Sequence, residues 1–278
     1  MRNYRHIEVR PIAGALGAEI HGVDISRPLD DDVAAEMRQA FLDHIVIFLR
    51  DQNATPHQQL AFARRFGEPI EYPQLKGLPE SPLITPVVKL EDERNNFGGI
   101  WHSDTTYLPV PPMGSMLLAR EVPPYGGDTM FANQYLAYEA LSDGLKNTLE
   151  GLVGISSSAK ADVSRTREDS LKKSGQELKV MTAEHPIVRT HPETGRKALY
   201  ISDAHTSSIK GWTEAESLPL LQFLWKHQIK PEFTCRFRWS VGSLAFWDNR
   251  CGMHNPINDY HGFRRVMHRI TLAGDKPG

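Results

Sequence analysis

His102 and Asp104 stand two residues apart in Trp101-His102-Ser103-Asp104. In an extended segment, side chains two apart point to the same side, so the imidazole and the carboxylate converge. Such a pair is either two ligands of a metal or a hydrogen-bonded His–Asp couple, and His-x-Asp alone does not choose between them. A third donor would choose. His254 lies in Cys251-Gly252-Met253-His254-Asn255-Pro256, just after the strand-like run Leu244 to Trp247, where a turn can present it. Two histidines and one carboxylate leave coordination positions open, the arrangement of non-haem Fe(II) oxygenases. Open positions are needed there because O2 and an electron-donating co-substrate must reach the same metal.

The segment Arg264 to Leu272 reads as a strand. Arg265, Met267, Arg269 and Thr271 share one face, and Val266, His268, Ile270 and Leu272 share the other. Two inward arginines on a mostly apolar strand require anions, and their planar forks suit a carboxylate, phosphate or sulfonate. For either arginine singly, a structural salt bridge serves as well. His268, on the opposite face, reads as a hydrogen-bonded core histidine. Asp248 and Arg250 read as partners of each other, or of nearby backbone, behind the His254 turn. His185 and His191 flank a hairpin and read as solvent-facing. Cys235 reads as core, and Cys251 as at most a site of oxidation.

These residues must be held by a scaffold. Asp30 as N-cap, acidic residues in the first turn, and Val33, Met37, Ala40, Phe41 and His44 on one face predict a helix from Asp30 to His44. The apolar run Ile45 to Leu49 predicts a buried strand directly after it. Thr55-Pro56 opens a second helix that stops at Gly67, and Thr213-x-x-Glu216 is a capping box for a third running towards His227. Strands are predicted at Ser115 to Ala119, Thr129 to Ala132, Phe233 to Trp239, Leu244 to Trp247 and Arg265 to Leu272. Ile187 to Thr190 and Ala198 to Ile201 form a hairpin around Pro192-Glu193-Thr194-Gly195. The polar stretch beginning Ser156 to Gln176 has no clean period, and 156–185 reads as a surface loop or lid. Nothing in it resembles a linker, so residues 1–278 read as a single domain.

The charge balance, 32 Lys+Arg against 34 Asp+Glu, argues against a protein built to neutralise a phosphate backbone, so no nucleic acid is expected. The longest apolar run, Ile45 to Leu49, is far too short to cross a bilayer, so no membrane is expected. The first residues lead into no apolar leader segment, and two cysteines make a poor disulfide framework. A cytoplasmic location is the expectation.

Together, His102-x-Asp104, the turn Pro123-Pro124-Tyr125-Gly126-Gly127-Asp128-Thr129, Trp247-Asp248-Asn249-Arg250, His254 and Arg265-x-x-x-Arg269 resemble the TauD/TfdA family of Fe(II)- and 2-oxoglutarate-dependent dioxygenases. The resemblance runs from Gly14 to Pro277, nearly the whole chain. It implies a mainly β fold with flanking helices, a double-stranded β-helix or jelly roll. It implies that His102, Asp104 and His254 are iron ligands and that Thr129 and Arg265 hold the distal carboxylate of 2-oxoglutarate. It further implies that Arg269 reaches the anionic head of the primary substrate. The activity implied is hydroxylation of a C–H bond in a small anionic substrate of sulfonate, sulfate ester or aryloxyalkanoate type, using O2 and releasing succinate and CO2. A homo-oligomer, dimer or tetramer, is also implied.

The sequence departs from the taurine-using pattern. Tyr72 matches a sulfonate-contacting histidine, Gly98 and Gly99 occupy a stretch where an asparagine is expected, and Asp162 and His205 match aromatic pocket residues. Tyr72 can still donate to an anion, and His205, a candidate substrate contact by its position, reads as structural or lid-contacting rather than catalytic. The primary substrate therefore stays open. The competing readings are a Zn-dependent hydrolase on the same three ligands and a non-catalytic jelly-roll binding protein. The hydrolase needs a nearby general base and has no use for an arginine-bound oxo acid, and a binding protein would not need all three ligands.

Overall fold

Val46-Ile47-Phe48-Leu49 is apolar at every position because the strand it forms is covered on both faces. The computed structural model describes residues 3–73, 75–160 and 180–278. Its strands, in chain order, are β1 (Glu8–Pro11), β2 (Ala18–His21), β3 (Val46–Leu49), β4 (Pro69–Ile70), β5 (Ile84–Lys89), β6 (Gly114–Glu121), β7 (Thr129–Asn133) and β8 (Val153–Ser157). There follow β9 (Thr182–Pro186), β10 (Val188–Thr190), β11 (Lys197–Leu199), β12 (Thr206–Ile209), β13 (Thr234–Phe237), β14 (Leu244–Asp248), β15 (Gly252–Pro256) and β16 (Arg265–Leu272). The large sheet runs β1-β2-β3-β14-β6-β16-β4, with β5 also paired to β16, and a smaller sheet runs β13-β7-β15.

The two sheets face each other through one set of alternating side chains. Phe48 stacks on Phe237 with centroids 3.9 Å apart, and Phe131 packs against Phe48 and Trp247. The opposite set, Ile47, Leu49, Met116, Phe246 and Ile270, packs outward on α1 (Asp31–His44) and α2 (Pro56–Ala63). Phe41 of α1 stacks on Phe246 at 4.0 Å. This is the jelly roll expected, with helices flanking the large sheet. A third apolar cluster joins α3 (Gln134–Glu139), α4 (Asp143–Leu149) and α5 (Glu214–Gln228) to β11 and β12.

Local signals hold, with adjusted ends. Asp30 sits at the N-cap of α1, but its side chain makes no capping hydrogen bond. Ile45 is not strand; it is the C-cap of α1 at φ 67°, and the strand starts at Val46. Thr55 with Gln58, and Thr213 with Glu216, close reciprocal capping boxes. The hairpin pairs β10 with β11, Arg189 opposite Ala198. The ends of the segment read as a lid are strands: Ser156 and Ser157 of β8 pair with Ala183 and Thr182 of β9. The rest of that reading, 161–179, lies outside the described residues, as does Asp162.

Candidate active site

A single β-bridge brings the two histidines together. His102 N donates to the His254 carbonyl at 3.0 Å, and His254 N donates to the His102 carbonyl at 2.8 Å. The exchange places the two residues directly opposite each other, with ring centroids 4.2 Å apart. The segment carrying His102 and Asp104 is stitched to the β14–β15 turn. Ser103 Oγ donates to the Gly252 carbonyl at 2.8 Å, and Asp104 N donates to Asn249 Oδ1 at 3.3 Å. Gly98, at φ +73°, passes so close that a Cβ there would stand 3.0 Å from His102 Cε1, so a side chain would be strained by its backbone and would press on the imidazole.

Asp104 divides its two oxygens. Oδ2 accepts from Arg269 Nη2 at 2.6 Å and from Ser115 Oγ at 2.8 Å. Oδ1 is buried without a hydrogen bond, 3.6 Å from His102 Nε2 and 3.9 Å from His254 Nε2. His102 Nδ1 lies 2.6 Å from the Ile100 carbonyl, which can only accept, so Nδ1 carries the proton and Nε2 keeps its lone pair. The ligand atoms of the three residues lie within 4.8 Å of one another. A buried carboxylate oxygen without a hydrogen bond, beside two imidazoles of which His102 presents an unprotonated Nε2 and His254 a buried, unpartnered Nδ1, fits a cation.

The charge states agree. Burial and the neighbouring His102 hold the His254 imidazole well below its usual pKa, keeping it neutral as a ligand must be. Burial works against ionisation of Asp104, but Arg269 and the two histidines outweigh it and hold its pKa well below the carboxylate range.

His102, His254, Thr129, Arg265 and Arg269 line one small cavity, walled by Phe97, Leu117 and Trp247 among others. Arg265 is 5% exposed, and its Nε and Nη2 have no hydrogen-bond partner. Trp239 Nε1 donates to Thr129 Oγ1 at 3.0 Å, which leaves the threonine proton to point elsewhere. The tight turn before Thr129 uses Gly126 and Gly127 at φ +73° and +68°. Arg265 and Arg269 share the inner face of β16, as their spacing predicts. Arg269, however, is bonded to Asp104 and to Ser115 Oγ at 3.0 Å, with its guanidinium 4.5 Å from the Tyr72 ring centroid. Its Nε is buried without a partner. His205 stands edge-on to His102 at 6.0 Å and to Tyr107 at 5.1 Å, so the fold brings it beside the three ligands.

Asp248 and Arg250 pair as expected, with Arg250 Nε and Nη2 2.8 and 2.7 Å from the two carboxylate oxygens. His191 is not solvent-facing: it is buried, its Nε2 3.0 Å from Asp248 Oδ2. His185 is buried too, its Nε2 2.8 Å from the Thr106 carbonyl, because its strand β9 packs against the turn after Asp104. His268 is half-buried on the outer face of β16, and its Nδ1 accepts from Arg120 Nε at 3.2 Å. Cys251 is buried, and burial with nearby Asp248 raises its thiol pKa well above the usual value, which removes the thiolate that oxidation requires. His191, Asp248 and Cys251 form a second tight buried group, but both Asp248 oxygens are already committed to Arg250.

Ser115, Asn249 and Tyr107 were not singled out from the sequence. Asn249 had a signal, standing inside the run Trp247-Asp248-Asn249-Arg250. Asn249 accepts from Trp247 Nε1 and Asp104 N, and it joins Ser115 through its Nδ2 at 3.3 Å. Nothing local marks Ser115, whose role follows from its strand's position.

The family described as taurine catabolism dioxygenase TauD, TfdA matches residues 8–271 of the chain. An alkylsulfatase of Acinetobacter baylyi is 34% identical over 98% of this chain and 86% of its own. An alpha-ketoglutarate-dependent sulfate ester dioxygenase of Pseudomonas putida is 34% identical over 98% of this chain and 91% of its own. Among solved structures, a putative alpha-ketoglutarate-dependent taurine dioxygenase from Burkholderia xenovorans superposes with a TM-score of 0.85 at 39% identity, covering 98% of this chain and 94% of that one.

Proposed function

The chain belongs to the TauD/TfdA dioxygenase family, and from that premise we propose that it hydroxylates a C–H bond next to the anionic group of a small sulfonate, sulfate ester or aryloxyalkanoate. It is an Fe(II)- and 2-oxoglutarate-dependent dioxygenase. The observation that carries the assignment of residues is a cavity lined by His102, His254 and Arg265, with Asp104 Oδ1 facing the two imidazoles and two buried Arg265 donors unpaired.

His102, Asp104 and His254 would hold the iron as a facial triad. Iron so held, with 2-oxoglutarate and O2, supplies oxidative decarboxylation to succinate and CO2 and the hydroxylation of the substrate carbon. The protein's own part is to position and to exclude. Arg265 offers Nε and Nη2 to the distal carboxylate of the co-substrate, and Thr129 donates its hydroxyl, fixed in direction by Trp239. Arg269 and Ser115 hold Asp104 Oδ2, so that Oδ1 alone faces the metal position. Phe97, Leu117 and Trp247 keep the cavity apolar where water would compete. Tyr72, His205 and Arg269 supply the polar contacts for the anionic head of the substrate. If the hydroxylated carbon bears a sulfonate, sulfate ester oxygen or aryloxy group, the product collapses to a carbonyl compound without a protein acid or base.

No helix among the described residues is long and apolar enough to cross a membrane. A cytoplasmic location belongs to the same proposal and is supported by two buried, unbridged cysteines. Homo-oligomerisation, as a dimer or tetramer, belongs to the same proposal and is supported by the family membership alone.

The test is anaerobic. Fe(II) and 2-oxoglutarate are added to metal-free protein and the visible spectrum is recorded. A weak metal-to-ligand charge-transfer band is expected, shifting when alkyl sulfonates, sulfate esters or aryloxyalkanoates are added. No band, with tightly bound zinc in the purified protein, would overturn the assignment in favour of a hydrolase.

A further inference from the structure

Lys89 is 3% exposed, and its ammonium makes no hydrogen bond and no salt bridge among the described residues. The ammonium lies over the face of the Tyr260 ring, 4.4 Å from the centroid. A buried ammonium without an anion is costly, and a single ring face offsets only part of that cost. The sheet register says which residue stands opposite Lys89. In the β5–β16 pair Lys89 is directly opposite Arg265, Val87 opposite Met267, and Thr85 opposite Arg269. Directly opposed residues carry their side chains on the same face with Cβ atoms about 4.5–5.5 Å apart. Val87, the preceding residue on that face of β5, lines the cavity with Arg265. Lys89 therefore follows Val87 on the face of β5 that borders the cavity and stands across the strand pair from Arg265, which itself has two buried donors without partners.

Two cations opposed across a strand pair repel each other, which makes this arrangement unfavourable for the protein by itself. The carboxylates beside Arg265 and Tyr260, the neighbours of Lys89, are engaged elsewhere: Asp128 lies 2.7 Å and Asp259 3.7 Å from Arg236, and Glu93 Oε2 accepts from Leu90 N at 2.8 Å. Nothing in the sequence motifs marks Lys89, since the register alone places it there.

We propose that Lys89 is a second cation of the co-substrate pocket, acting beside Arg265 to select a keto acid that carries a distal carboxylate. The inference rests on the reading of this cavity as the 2-oxoglutarate site. Lys89 is a positioning and charge-supplying residue, and Tyr260, whose ring lies under its ammonium, holds it in place. The protein accepts two opposed buried cations in the empty pocket and recovers the cost when the carboxylate binds.

The experiment compares wild-type protein with Lys89→Met, both loaded with Mn(II) in place of oxidisable iron. Calorimetric Kd values are measured for 2-oxoglutarate and for pyruvate, a keto acid with no distal carboxylate, and melting temperatures are recorded without keto acid. The proposal expects Lys89→Met to bind 2-oxoglutarate about tenfold more weakly, to bind pyruvate as wild type does, and to melt at or above the wild-type temperature. An unchanged 2-oxoglutarate Kd would overturn it. Equal weakening of both keto acids, or a lower melting temperature with both weakened, would reduce Lys89 to a structural residue. Lys89→Arg keeps the charge and should retain most of the 2-oxoglutarate affinity; loss as large as in the Met variant would also count against the proposal. Failure of the wild-type protein itself to bind 2-oxoglutarate would instead overturn the functional reading on which the inference stands.

Discussion

Arg269 holds one oxygen of Asp104 and leaves the other free: Nη2 lies 2.6 Å from Oδ2, while Oδ1 faces the two imidazoles without a hydrogen bond. A residue placed on β16 thus sets the direction of a ligand in the segment leading to β6. Partners that orient a ligand in this way typically change metal affinity by about ten- to a hundredfold. Arg269→Met is expected to raise the Fe(II) Kd by about that factor, measured by anaerobic titration, with folding verified by circular dichroism. A folded variant with wild-type iron affinity would show that Asp104 needs no such guide.

Asp104→Asn preserves shape and removes charge. Iron-supported turnover should be lost, because the amide is a poor ligand and Arg269 is left beside it without an anion. Turnover near the wild-type level would remove Asp104 from the ligand set.

Arg265→Ala deletes a charge-assisted pair in a dry cavity, a contribution of about 1.5–3 kcal/mol. The 2-oxoglutarate requirement should rise by about ten- to a hundredfold or more. The kinetic measurement is KM for 2-oxoglutarate at saturating primary substrate, and an unchanged KM contradicts the assignment.

His185 supplies a pH dependence away from the ligands. Burial lowers its pKa below the ordinary value of 6.5, opposed by hydrogen bonds to the Thr106 and Leu108 carbonyls. The unfolded chain therefore takes up a proton near 6.5 that the folded chain resists, and stability must fall as pH drops below that value towards the depressed folded one. Above about 6.5 both states are neutral and the contribution is flat. Urea melts between pH 5 and 8 should show this slope, and His185→Gln should reduce it. An equal slope in the variant would place the effect on another group.

Asp248→Asn leaves Arg250 buried with one fewer counter-charge and weakens the hold on His191. Breaking a buried ion pair from one side costs about 3–5 kcal/mol. A loss of that size in chemical denaturation is expected, whereas a loss below about 1 kcal/mol would mean that Glu193, 2.6 Å from Arg250 Nη1, compensates.

Much of the site was legible because backbone periodicity is local. Two-residue alternation put His102 with Asp104, and Arg265 with Arg269, without reference to any partner. The capping box at Thr213 and the helix start at Thr55-Pro56 were readable for the same reason, since all their atoms lie within four residues. The jelly roll and the co-substrate came through a resemblance spread along the chain. The long-range pairing did not follow from any of this. His254 meets His102 through one bridge, Lys89 meets Arg265 through the β5–β16 register, and Arg269 is turned onto Asp104 by Ser115 on the neighbouring strand. His185 and His191 looked like exposed hairpin residues because burial depends on what packs over a strand, not on its own residues. The sequence by itself determined which residues carry chemistry and which face of each strand they share. Tertiary structure alone decided their partners, because register and burial are set by segments far apart in the chain.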